Sequence, residues 1–325
     1  MSGVTSDNTG RSSGLVKAIS AGVPTVSSDP GSPSLGDVWY NTTDDKLRVY
    51  TEVSASWSTG TVMSAGALSH REGDGVSQSA TIIFGGQPTT GKTEEYNGSS
   101  WTEKTDMTTG RYSVGACGTP TAALAGGGNG PRTANSEEWN GTGWTEGTNM
   151  GTARYGAGTA GVQTAAILAC GDVAGPATSS LSEEYNGVGY TEGNNAQNAR
   201  YMSSGCGTQV AGLMAGGNPV NANSEEYNGT SWVEGNNLNA SLRGNALFGT
   251  QTAAISAGGE PGVTAVEKYD GTSWSSHVTL TTGRTEAASA GINTNGLIAG
   301  GDAPADSDAT EELTEGEGTA DVTVS

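Results

Sequence analysis

Phenylalanine occurs twice in 325 residues, histidine twice and cysteine three times. The two histidines, His70 and His277, lie far apart, and neither stands beside a Ser or Cys elbow. A nucleophilic triad, which needs a base held against its nucleophile, is therefore not legible. No His or Cys spacing suits zinc. Cys117, Cys170 and Cys206 are too few and scattered for a disulfide framework and read as small buried residues. Basic residues are scarce too: 14 Lys and Arg face 34 Asp and Glu, a net charge of −20. That balance excludes a nucleic-acid-binding surface, which needs clustered cations, and an anionic membrane surface. No apolar run is long enough for a membrane helix, and the N-terminus does not read as a secretory leader.

Hydrophobic residues make up only 33%, but there are 53 glycines. In a disordered chain the glycines would be scattered; here they keep register with a repeat. Glu94-Glu95-Tyr96-Asn97-Gly98 leads to Trp101, and Glu137-Glu138-Trp139-Asn140-Gly141 to Trp144. Glu183-Glu184-Tyr185-Asn186-Gly187 leads to Tyr190, Glu225-Glu226-Tyr227-Asn228-Gly229 to Trp232, and Glu267-Lys268-Tyr269-Asp270-Gly271 to Trp274. The first aromatics are 43, 46, 42 and 42 residues apart. Such a period marks an array of supersecondary units. Each block reads as a β-hairpin: an aromatic on either arm and a type I′ Asn-Gly or Asp-Gly turn, which needs positive φ at both central residues.

Ahead of each hairpin stands an arginine, at Arg71, Arg111, Arg154, Arg200, Arg243 and Arg284, followed by small residues. Next comes an apolar strand ending in glycines, as in Leu124-Ala125-Gly126-Gly127 and Leu297-Ile298-Ala299-Gly300-Gly301. Four short strands per repeat is the size of a propeller blade. The pattern from about residue 71 onward resembles the kelch repeat. The resemblance implies an all-β, kelch-like β-propeller of six blades of four short strands, seven being the alternative, with an extended N-terminal arm. The repeat arginines are expected to tie neighbouring blades through carboxylates or carbonyls, one Glu of each pair neutralising an arginine.

Residues 1–34 are polar and read as an extended attachment arm. Residues 35–60 read as a β-hairpin module that is a candidate for closing the ring, and residues 61–325 as the propeller. Within the hairpin, Gly36-Asp37-Val38-Trp39-Tyr40-Asn41-Thr42 resembles a short module that recurs in bacteriophage tail-fibre and other virion proteins. Two closures are open. The last repeat could complete itself with Glu311-Glu312-Leu313 and an alternating tail (Ala320, Val322, Val324), or residues 46–60, with Tyr50 and Trp57, could lend strands. Six blades closed by pairing of the two chain ends is the expected form.

No catalytic, cofactor-binding or metal residue is assigned, and no cofactor is expected. The acidic run Asp302, Asp306, Asp308, Glu311 and Glu312 is the strongest calcium candidate, but it lacks the EF-hand glycine and reads as a solvated loop. The Glu pairs recur in every blade, which marks them as structural; a catalytic pair would break the repeat. The loops after the glycine-ended strands vary, so binding is expected there, although they carry no dense aromatic or charged cluster. The two resemblances imply a non-enzymatic virion structural protein: a propeller appendage on capsid or tail (tail fibre, decoration or knob), held by its arm in many copies on a symmetric particle. Its partners would be other virion proteins and a host-surface glycan or protein, with no nucleic acid and no membrane insertion. The alternatives are a cytoplasmic kelch-type interaction adaptor and a virion-borne glycan-active enzyme.

Overall fold

The computed structural model describes residues 23–34, 36–175, 177–302 and 305–322. All regular structure among them is β. The chain divides into two compact units, residues 56–314 and a smaller one formed by 1–55 with 315–325.

Residues 56–314 form a six-bladed propeller. Blade 2 is representative, with strands Gly115–Thr119, Ala122–Gly126, Ser136–Trp139 and Trp144–Glu146 as one antiparallel sheet. Blades 1, 3, 4 and 5 repeat it from the inner strands Glu72–Ser77, Gly158–Val162, Ser204–Thr208 and Ala246–Thr250. The inner strand of blade 6, Ala288–Ile292, packs beside that of blade 1, so the ring is closed. The third strand of blade 6 begins at Thr310, and its outer strand is the chain's own residues 56–59, the end of strand Lys46–Thr59. Gly60 N donates to Thr310 O at 2.8 Å. Trp57 takes the outer-strand aromatic slot: its indole donates to Val278 O at 3.1 Å, as that of Trp101 does to Thr61 O at 3.0 Å. Each acceptor lies four residues past the outer-strand tryptophan of the preceding blade, Trp274 and Trp57 respectively. The ring thus closes with residues 56–59 rather than with the alternating tail. Strand Thr310–Asp321 runs on into the smaller unit, and Val324 lies outside the described residues.

The hairpin aromatics face one another as expected. Tyr96–Trp101, Trp139–Trp144, Tyr185–Tyr190, Tyr227–Trp232 and Tyr269–Trp274 are in register, with ring centroids 4.6–5.5 Å apart. The turns differ from type I′. Only the glycine is left-handed (Gly98 φ 88°, Gly141 φ 89°). Asn97 acts through its side chain, Oδ1 accepting from Ser99 N at 3.0 Å and Ser100 N at 2.9 Å. An asparagine can nucleate a turn in this way without positive φ. The 46-residue step arises in blade 3, whose loop builds a small sheet of Arg154–Tyr155, Asp172–Val173 and Ala177–Thr178.

In the smaller unit, Val38–Asn41 pairs with Lys46–Val49, and Thr25–Val26 lies parallel to Tyr40–Asn41. Asp29 organises it. Its carboxylate accepts from Trp39 Nε1 and Asn41 Nδ2, each at 2.9 Å, and pairs with Arg48. Hydrogen bonds from Arg48 first, then Trp39 and Asn41, lower its pKa to about 2. The first 22 residues of the expected arm lie outside the described residues.

Candidate functional site

Much of the charge in the propeller is structural. The first Glu of each pair is buried: Glu94, Glu137, Glu183, Glu225, Glu267 and Glu311. Each accepts two successive backbone N–H groups from the loop entering its blade; Glu137 takes Thr108 and Thr109, and Glu311 takes Thr281 and Thr282. Five of them also meet a buried arginine: Arg71, Arg111, Arg154, Arg200 or Arg284. These arginines fasten the entering loop to its own blade, not to the neighbouring one as the sequence led us to expect. Arg243 is the exception. Strand register puts Leu242 in the arginine slot, and Gly217 N donates to Leu242 O as Gly128 N donates to Arg154 O. Arg243 turns out to Glu260 instead, and Glu267 is held by Asn239 and Ala240.

The second Glu joins blades. Tyr96, Tyr185, Tyr227 and Tyr269 donate their hydroxyls to Glu312, Glu138, Glu184 and Glu226 of the preceding blade. Where the following blade offers Trp139 or Leu313, which carry no hydroxyl, the position holds Glu95 paired with Lys104, or Lys268. An open groove of about 740 Å³ beside Glu184 and Tyr227 belongs to this repeated junction. The calcium candidate is dispersed into the same roles. Glu311 is on Arg284, Glu312 on Tyr96, and Asp302 pairs through its backbone with Thr285 and Asp306. Among the described residues no three His, Cys, Asp or Glu side chains are placed to hold a metal ion.

What breaks the repeat gathers at the axis. At the loop-bearing end, six residues pass a backbone hydrogen bond around a closed circle: His70, Ser113, Gly156, Met202, Gly244 and Glu286, with N···O of 2.6–3.1 Å. All six have φ between 48° and 63°. Four are not glycine, and left-handed backbone costs such residues about 1 kcal/mol or more. The circle pinches the channel to a cavity of about 30 Å³, a single water's share and too small for a sugar ring. His70 Nε2 pairs with the Glu286 carboxylate there, while Nδ1 lies 3.1 Å from Ser69 Oγ.

Glu72 and Asp74 stand on the inner strand of blade 1. Register aligns Glu72 with Gly115, Gly158, Ser204, Ala246 and Ala288, and Asp74 with Cys117, Ala160, Cys206, Phe248 and Ala290. These two acids therefore break the repeat. Counting from Arg71 hid this, because that arginine sits three positions later on its blade than Arg111, Arg154, Arg200 and Arg284 on theirs. Each keeps part of its surface open to the channel, yet protein encloses it. Burial first, then Glu286, pushes the pKa of Glu72 up to about 8. Burial also raises Asp74 to about 7, against hydrogen bonds from Gly118 N (2.8 Å) and Gly75 N (2.7 Å). Asp74 also lines a cavity of about 270 Å³ at the opposite mouth, with Leu247, Phe248 and inner-strand glycines. Cys117, Cys170 and Cys206 are free and buried, with burial raising each thiol's pKa.

The loop end carries an aromatic and charged arc. Tyr112, Tyr155 and Tyr201 each follow a repeat arginine on consecutive blades. Tyr112 meets His70 edge-on at 5.6 Å and Tyr155 meets Tyr201 at 5.9 Å. Arg132 lies over the Tyr155 ring at 5.4 Å and pairs with Asp172, whose other oxygen takes the Tyr155 hydroxyl at 3.1 Å. Arg243 continues the arc, pairing with Glu260 and donating to Asn218 Oδ1 at 2.9 Å. The tyrosines come from the entering loops and fold against the variable loops, which themselves supply Arg132, Asp172 and Glu260. The Arg-Tyr dipeptide in three repeats was the available signal.

No family model and no curated protein matches the chain. Among solved structures it is similar to YjhT ("Structure of YjhT"), with a TM-score of 0.66 and 11% identity over 80% of this chain and 99% of that one. At that identity the likeness concerns the fold.

Proposed function

We propose that the chain is a non-enzymatic attachment protein of a bacteriophage particle. The propeller displays its loop end, and the smaller unit with the N-terminal arm docks it to capsid or tail. The observation that carries this reading is a second β unit outside a closed ring. That unit holds the Gly36–Thr42 motif similar to virion modules, and its Trp39, Asn41 and Arg48 converge on Asp29. Net charge of −20 suits an outward surface rather than one facing packaged DNA. Many copies on one particle would turn weak contacts at the loop end into avid ones. Particles lacking this protein, mixed with the full chain or with residues 56–314, test the reading by co-sedimentation. The full chain should sediment with the particles and residues 56–314 should not. Equal behaviour of the two would overturn it.

A further inference from the structure

We infer that the loop end of the ring binds a neutral saccharide, held on the arc of Tyr112, Tyr155 and Tyr201 and oriented by the Arg132–Asp172 pair. The inference rests on the attachment reading and names the ligand class of its outward face. Three tyrosines on consecutive blades keep part of their surface open and are fixed by their neighbours. Tyrosine supplies rigid, amphipathic contact area at little entropic cost, and the C–H face of a sugar ring fits it. Beside the rings stands a preset donor and acceptor. Asp172 is only 7% exposed and is fixed by both Arg132 and the Tyr155 hydroxyl. A guanidinium fork next to a carboxylate matches the paired hydroxyls of a sugar.

The charge pattern selects a neutral ligand. Arg132 is matched by Asp172, Arg243 by Glu260 and His70 by Glu286, so the arc offers an anion no spare cation. The field of a chain at −20 repels an anionic sugar further.

The test uses the full chain and four probes: the methyl glycosides of glucose, galactose and mannose, and methyl glucuronide as the anionic counterpart. Saturation-transfer NMR with irradiation of the aromatic protons should show ring C–H signals of at least one neutral glycoside, and calorimetry should give it the tighter binding over glucuronide. Tyr201→Ala should weaken that binding by about tenfold or more, as truncating a central aromatic does, with Tyr201→Phe close to wild type. Absence of saturation transfer to every neutral glycoside, tighter binding of glucuronide, or unchanged affinity in folded Tyr201→Ala would overturn the inference. Particle docking reads residues outside the ring, so failure of the attachment reading and failure of this inference are told apart.

Discussion

The Arg71 guanidinium meets Glu94 as Arg111 meets Glu137, although Arg71 leaves the backbone three positions later on its blade. Its other contacts coincide as well. Arg71 donates to Gly85 O and Lys92 O, and Arg111 to Gly127 O and Asn135 O, which are the same places in the two blades. The fold preserves the location of the charge pair rather than the sequence position that supplies it. Removing one partner of such a pair strands a buried charge, at about 3–5 kcal/mol. Arg111→Ala and Arg154→Ala should therefore lower the denaturation midpoint strongly. Arg243→Ala removes only a part-exposed pair with Glu260, worth about 1 kcal/mol or less. Urea melts of the three variants check the order.

The channel acids set a pH dependence of the opposite sign to the usual carboxylate. Their folded pKa values, about 8 for Glu72 and about 7 for Asp74, lie above the ordinary 4.5 and 3.8. The folded state therefore binds more protons than the unfolded one across that interval, and stability falls as pH rises through it. Glu72→Gln with Asp74→Asn should flatten the melting temperature between pH 5 and 7, a range inside both intervals, and raise it at the upper end. Differential scanning calorimetry across that range checks the slope.

The hydroxyls of Tyr96, Tyr185, Tyr227 and Tyr269 bridge blades to a carboxylate, whereas that of Tyr190 meets Ser136 of the preceding blade. Tyr227→Phe leaves Glu184 without its donor, and a hydrogen bond to a charged group contributes about 1.5–3 kcal/mol. Placing a tyrosine at Trp139 would add no such bond, because Glu95 is already taken by Lys104. Thermal melts should show Tyr227→Phe lowered by that loss, and Trp139→Tyr lowered rather than raised, since it also opens a gap at a fully buried site and takes the indole donor from Pro120 O.

The repeat was legible because its residues answer to one local geometry: Gly-Gly at the strand end, Glu in the staple, an aromatic on each hairpin arm. Sequence failed where one blade reached the same geometry by another route. Arg71 is displaced, Leu242 occupies an arginine slot, and Trp57 fills an outer-strand slot more than 200 residues before the rest of its blade. The candidate surface was hidden for a related reason. Tyr112, Tyr155 and Tyr201 lie on the loops that enter the blades, whereas Arg132, Asp172 and Glu260 lie on loops that leave their second strands. Pairing within each blade sets the two kinds of loop side by side, Tyr112 against Asn129 and Tyr155 against Asp172. Glu72 and Asp74 break the repeat plainly, but only once strand register replaces counting from the arginine.

The separation of a closed ring from a second unit underlies both the fold and the attachment reading. It is tested most directly by the melting and solution mass of residues 56–314 beside those of residues 61–325. The first keeps the outer strand of blade 6 with Trp57, and the second loses both. Residues 56–314 should be a monomer that melts cooperatively close to the full chain, and residues 61–325 should melt well below it or aggregate through an uncovered edge. If residues 61–325 melt like the full chain, the outer strand is dispensable and the closure described here is contradicted. If residues 56–314 cannot fold, the ring does not stand apart from the smaller unit, and the attachment reading loses its main support.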